Sequence, residues 1–265
     1  MWTIFETKVT KIMDGKKVEV EDNVIREVKL TIIVNGKRIG AMMAVRVDLK
    51  ELTVGYLISE NIIKDVKDIT KIEIIDKEKE EKNFEAIVKA SIVEDSLDRL
   101  DLEGVIVSGC GRASSAHISP KAIEAGIIRS DLRIKAKLLS CEMAKFYTQC
   151  PLYEQTGCVH TAKVYFDENT YFIGEDIAQH NTIDKAVGKA RLAGVDVRKC
   201  FLMVSGRLSS EMVAKAVMHQ IPILASRTAS TCRGVNIARH FDLTLLGFVR
   251  GNKMNIYSVP ERIYV

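Results

Sequence analysis

The apolar period of this chain changes partway along it, and that change limits the folds open to it. Up to about residue 92 the runs are strand-like and joined by short turns. Residues 8–13 and 16–20 flank Asp14-Gly15, and residues 30–34 and 37–45 flank Asn35-Gly36, each a two-residue hairpin signal. Asp48, with Glu51 three residues on, resembles a capping box, and Leu49, Leu52, Tyr56 and Ile63 space out a helix of about four turns. Gly55 is a blemish inside that helix, because glycine weakens a helix interior. Two further strands, over 71–75 and 85–92, bracket the charged run 77–82, which reads as a solvated loop.

From Ser130 onward strands and helices alternate. A helix over 134–148 precedes a hairpin built from 159–166 and 170–173, and a helix over 182–193 is ended by Gly194. The strand 200–204 then leads to a helix over 210–218, the strand 222–225 to a helix over 231–241, and the strand 243–249 to a last strand over 254–258. Such alternation predicts an α/β sheet covered by helices, preceded by a smaller β-rich α+β unit. The expected division is an N-terminal α+β domain over 1–105, a connection over 106–120 and an α/β domain over 121–265.

Composition excludes several classes. A formal net charge of +4, with Lys and Arg scattered among nearly as many acids, leaves no basic stripe for a nucleic-acid backbone. The first residues lack the basic-then-apolar layout of a signal peptide, and no apolar run approaches the roughly 20 residues of a membrane span, so a cytoplasmic protein that does not engage a membrane is expected. Six cysteines are too sparse and irregular for a disulfide framework, and none forms Cys-x-x-Cys. Cys141 and Cys200, set in apolar patterns, are expected as small buried hydrophobes.

Chemistry concentrates in a few turns. Residues 174–185 pack Glu175, Asp176, His180, Asn181, Asp184 and Lys185 into one stretch, denser than a solvated helix start requires, which points to a functional site. Cys110 stands between glycines in Ser-Gly-Cys-Gly-Arg, where a partner can approach the sulfur closely and Arg112 can favour the thiolate. Cys232 is the rival nucleophile, placed after Ser230-Thr231 at a helix start, though a structural role is favoured for it. Cys158 can face the same cleft as His160. Ser205-Gly206-Arg207 leaves a strand and enters a helix, a place where amides and a guanidinium hold an anion. The basic turn Arg250-Gly251-Asn252-Lys253 joins two strands and reads either as a second anion contact or as a plain hairpin tip.

Taken in order, these strings resemble the FdhD/NarQ family of formate dehydrogenase accessory proteins. The resemblance is carried by residues 48–60, Cys110-Gly111, Thr156-Gly157 with Val159-His160, Glu175-Asp176 with His180-Asn181 and Asp184-Lys185, Ser205-Gly206-Arg207 with Ser209 and Glu211-Met212, and Gly247-Phe248 with Arg250-Gly251. It implies a cytidine-deaminase-like fold for the α/β half. It also implies sulfur delivery, in which persulfide sulfur from a cysteine desulfurase passes to a molybdenum or tungsten bis-pterin guanine dinucleotide cofactor for the formate dehydrogenase catalytic subunit. By the same resemblance Cys110 is the sulfur acceptor, and Arg207 with Phe248, Val249, Arg250, Gly251, Asn252 and Lys253 holds the cofactor. Arg112, His160, Glu175 and His180 support the site, and the protein is a homodimer. The chain departs from the family's Cys-Gly-x-Cys-Gly loop, having Val107 at the first cysteine position, Cys158 in place of a glycine and Gly174 in place of an arginine.

Two other classes compete. A cofactor chaperone would bind the dinucleotide without moving sulfur, and the missing loop cysteine suits it. A zinc deaminase is disfavoured, because it needs a histidine or cysteine, a glutamate two residues later and Pro-Cys-x-x-Cys, whereas this sequence has only Cys150-Pro151 in the wrong order and no Cys-x-x-Cys. No intrinsic metal is therefore expected.

Overall fold

The computed structural model describes residues 3–79, 83–93 and 126–265. Cys110, Arg112 and the expected 106–120 connection lie outside the described residues. Two strands, β1 (Ile4–Met13) and β2 (Lys16–Ile25), form an antiparallel ribbon, followed by β3 (Glu27–Val34) and β4 (Lys37–Val45). Both expected hairpin turns are present. Asp14 and Gly15, like Asn35 and Gly36, have positive φ at both central positions, the backbone that matches strand twist and that Asn, Asp and Gly tolerate best.

Helix α1 (Leu49–Ser59) leads to β5 (Ile69–Lys79) and β6 (Asn83–Ile92). The four-stranded sheet runs β4-β3-β6-β5, with β3 and β6 parallel, and Leu30, Ile32, Val88 and Ala90 pack with α1 residues Leu52 and Leu57 in one core. α1 is shorter than the four turns expected, and no capping box forms: Asp48 adopts φ 58° and its side chain caps nothing. Its carboxylate instead pairs with Lys189 at 2.6 Å, a partner that sequence spacing could not reveal.

The remainder builds β7 (Ile134–Lys135), α2 (Ala136–Lys145), α3 (Pro151–Thr156), β8 (His160–Tyr165), β9 (Tyr171–Asp176) and α4 (Gln179–Leu192). There follow β10 (Phe201–Val204), α5 (Ser210–Met218), β11 (Ile223–Ser226), α6 (Cys232–His240), β12 (Thr244–Arg250), β13 (Lys253–Ser258) and β14 (Ile263–Tyr264). The long helix expected over 134–148 is broken into β7, α2 and a 3₁₀ turn, Tyr147–Gln149.

A six-stranded sheet runs β13-β12-β11-β10-β8-β9, with β10, β11 and β12 mutually parallel and β8, β9 and β13 antiparallel to their neighbours. Leu202, Val204 and Leu224 point to a core with α4, α5 and α6, whereas Phe201, Met203 and Ile223 meet Leu139, Met143 and Phe146 on the other face. Coverage on both faces explains why β10 and β11 are apolar throughout rather than alternating. No described helix is long and apolar enough to cross a membrane.

α1 crosses α4 backbone to backbone. A Cβ on Gly55 would lie 2.1 Å from the Asp184 carbonyl oxygen, and one on Gly188 would lie 2.0 Å from that of Glu51. The apparent blemish at Gly55 is therefore what lets the two sheets' helices touch. Gly174 has a like role, since its Cβ would meet the Thr182 carbonyl oxygen at 2.3 Å beneath α4.

Candidate functional site

The dense stretch 174–185 is largely internal. Asp176, fully buried, accepts from the amides of Val45 and Ala178 and from Asn181 Nδ2, all at 3.0 Å, and pairs with buried Lys185 at 2.7 Å. Lys185 also donates to the carbonyls of Val45 and Glu175 at 3.0 Å, and Asn181 donates to that of Met43 at 3.0 Å. These bonds tie β4 to β9 and α4. Burial holds Lys185 below the ordinary lysine pKa, with Asp176 pulling it back up.

A second buried cluster lies one turn away. Asp184 pairs with Lys215 at 2.6 Å, which also donates to Ser59 Oγ at 2.9 Å, and with His219 at 3.4 Å. Burial opposes ionisation of Asp184, but Lys215 and the His219 hydrogen bond outweigh it and hold its carboxyl below the usual range. Asp176, Asn181, Asp184 and Lys185, close together in sequence, thus serve as struts between the sheets and helices.

Glu175 and His180 stand at the margin of those struts. Glu175 accepts from the amides of Leu152 at 3.2 Å and Tyr153 at 2.8 Å, so it caps α3 rather than its own helix, and burial pushes its carboxyl up. His180 Nε2 lies 2.9 Å from Glu211 Oε2, an ion-pair distance without hydrogen-bond geometry. Burial, then Lys215, depresses the His180 imidazole.

Among the described residues, His160, Arg207 and the exposed part of 248–253 gather at one end of the six-stranded sheet. β10, β11 and β12 are parallel, so the turns after them, Ser205-Gly206-Arg207, Arg227-Thr228 and the end of β12, emerge on the same edge. His160 joins them because β8 starts where β10 ends. Ser205 Oγ accepts from the Thr161 amide at 3.0 Å and lies 3.2 Å from His160 Nδ1. Burial and then Arg207 hold His160 below the ordinary imidazole value, so it is neutral near pH 7. Ser226 Oγ donates to the Gly206 carbonyl at 2.6 Å and Gln179 Nε2 to that of Arg207 at 2.9 Å, fixing the turn while the Arg207 side chain stays exposed.

The segment 248–253 is mixed in character. Phe248 is 40% exposed at φ 53°, its amide donating to the Thr228 carbonyl at 3.0 Å, where β12 breaks register with β13. Val249 is wholly buried in the core, so its side chain holds the bulge and does not reach the edge. Arg250 is exposed and pairs with Lys253 across a two-residue turn, Gly251 having φ 51°. Its Nε donates to the Arg227 carbonyl at 3.0 Å. Arg227, missed from the sequence, carries the signal that marks Arg207, a basic residue in a turn that leaves a strand and enters a helix.

Five cysteines are described. Cys150 and Cys200 are buried, and burial pushes each thiol up to about 12. Cys141 is exposed on α2, against the expectation that it is buried, because its helix covers the sheet with Leu139 and Met143 and turns Cys141 outward. Cys158 and Cys232 are exposed, the first two residues before His160 and the second at the first position of α6, whose cap Thr231 accepts from the Gly234 amide at 3.1 Å.

Fold and site together define an α/β protein whose parallel-strand ends carry guanidinium groups on an open edge, a place where such sheets hold anionic ligands. The chain belongs to the FdhD/NarQ family, whose model matches residues 25–264. It is 36% identical over 245 residues to a protein named sulfur carrier protein FdhD from Wolinella succinogenes, covering 92% of this chain and 84% of that one. A protein of the same name from Methanothermobacter thermautotrophicus is 32% identical over 251 residues, covering 95% of each. The fold matches the crystal structure of a candidate formate dehydrogenase accessory protein from Desulfotalea psychrophila, with a TM-score of 0.78, 24% identity and coverage of 99% of this chain and 100% of that one.

Proposed function

We propose that this protein is a sulfur carrier that accepts sulfane sulfur from a cysteine desulfurase. It passes that sulfur to a molybdenum or tungsten bis-pterin guanine dinucleotide, bound as substrate, before the cofactor enters the formate dehydrogenase catalytic subunit. The observation that carries this reading is the family match over residues 25–264, together with relatives named as sulfur carriers, among them one at 36% identity. In uptake, the Cys110 thiolate attacks the terminal sulfur of the donor's persulfide. A new sulfur–sulfur bond forms, the donor's breaks, its thiolate leaves, and no outside oxidant is needed. Arg112 favours the attacking thiolate.

The sheet edge supplies the cofactor's hold. Arg207 follows β10 and Arg250 ends β12, strands separated by β11, a span of about 10 Å that suits a diphosphate and its flanking groups. Phe248 offers an exposed ring for a base or pterin, and Gly251, Asn252 and Lys253 complete the turn. His160, neutral near pH 7, can accept a hydrogen bond without repelling the arginines.

The competing chaperone reading is favoured by Val107, which stands where the family's loop has its first cysteine. Mass spectrometry after incubation with a cysteine desulfurase and cysteine separates the two. One added sulfur located on Cys110, lost in Cys110→Ala and retained in Cys232→Ala, is the expected result. A protein that stays unmodified yet still activates its client is a chaperone.

A further inference from the structure

We propose that Arg227 contacts the diphosphate of the guanine dinucleotide, and that Tyr147 is the positioning residue that holds its guanidinium over the strand ends. The inference rests on the nucleotide-binding part of the function proposed above and adds to it a residue and its support.

The geometry places Arg227 between the two arginines already assigned. β11 lies between β10 and β12, so the residue that follows it stands between Arg207 and Arg250 on the same edge. Its backbone is gripped by Arg250 Nε at 3.0 Å, and its guanidinium carbon lies 5.1 Å from the centre of the Tyr147 ring. A guanidinium stacked on an aromatic face keeps its in-plane N–H groups for other acceptors, and none of Arg207, Arg227 or Arg250 forms an ion pair with a carboxylate among the described residues. Three such groups in a row fit the distributed charge of a diphosphate better than a single carboxylate.

Tyr147 is held from three sides. Its ring lies 5.0 Å from that of Tyr153 and 5.3 Å from that of Phe146. Glu175 fixes the Tyr153 amide at 2.8 Å, and Lys163, fully buried, donates at 2.6 Å to Gln149 in the same turn as Tyr147. Glu175 therefore reaches the edge through Tyr153 and Tyr147 and needs no contact with ligand. Burial pushes the Tyr147 phenol up while Arg227 and Arg250 pull it down, as expected if both guanidinium groups lie close to it.

Titration calorimetry of the full chain with GDP tests this, circular dichroism serving to confirm folding. Arg227→Ala should weaken GDP binding about tenfold or more, and Arg227→Gln, which keeps chain length, should weaken it comparably. Tyr147→Leu should weaken it about two- to fivefold through loss of the aromatic support, while Tyr147→Phe keeps the platform and wild-type affinity. The double variant Tyr147→Leu/Arg227→Ala should bind no worse than Arg227→Ala alone, a non-additivity that a merely structural tyrosine would not give. Unchanged affinity in both Arg227 variants, with loss in Arg207→Ala, overturns this inference and leaves the nucleotide reading intact. Additive losses in the double variant remove Tyr147 from the positioning role. A wild-type protein that does not bind GDP overturns both readings.

Discussion

At the scale of single residues, the buried histidine and aspartate beneath the α1–α4 crossing set a pH dependence. Burial depresses His219 below its ordinary 6.5, despite Asp184. As pH falls past about 6.5 the unfolded chain binds a proton that the native state refuses, so native stability declines until the lowered folded pKa is reached. His160 and His180 act in the same direction, whereas the raised Glu175 opposes them. Urea midpoints between about pH 7 and pH 5 should therefore fall more steeply for the wild type than for His219→Gln; parallel curves would remove His219 from this role. Asp184, whose carboxyl is held low, adds stability above the ordinary carboxylate range that is lost as pH falls through its folded value. The sequence displayed these titratable groups plainly. It could not display their partners, because Asp176 bonds a main-chain amide 131 residues away and Asp184 a lysine 31 residues away.

At the scale of elements, the helix crossing gives a prediction of decisive sign. Replacing glycine by alanine inside an exposed helix stabilises it by about 1 kcal/mol. Gly55→Ala and Gly188→Ala should instead destabilise by about 1–3 kcal/mol or more, because the added carbon meets backbone that no rotamer change can move. Thermal melting distinguishes the two, and a raised midpoint for either variant would refute the close crossing. Strand and helix types were largely legible, since the Asn-Gly and Asp-Gly turns and the apolar runs of β10 to β12 have local causes. The break between β7, α2 and Tyr147–Gln149 was not legible, because a helical apolar spacing also suits a strand, a short helix and an aromatic turn packed on one sheet face. The short helix α3 was missed as well, its start fixed by Glu175 from a distant strand.

At the scale of the whole molecule, the Asp176–Lys185 pair links the four-stranded and six-stranded sheets. Lys185→Met should destabilise the protein by about 3–5 kcal/mol, since it leaves Asp176 buried without its cation and the Val45 and Glu175 carbonyls without a donor. Adding Asp176→Asn should recover part of that loss by removing the stranded charge. Equilibrium denaturation of the single and double variants checks this, and a double variant no more stable than Lys185→Met would show that the hydrogen bonds, not the charge, hold the sheets together.

The sequence by itself determined the two hairpin turns, the α/β alternation and the family, because each is written in local period, turn chemistry or short strings. It also marked Arg207 and Arg250 as basic groups beyond strands. Only the tertiary structure decided that β10, β11 and β12 are parallel neighbours, which brings Arg207, Arg227 and Arg250 to one edge. Only it separated Glu175, a cap on α3, from Asp176 and Lys185, struts within the core. The physical reason is the same in each case: a charge takes its role from its solvent exposure and its partners, and both are fixed by distant segments of the chain packed against it.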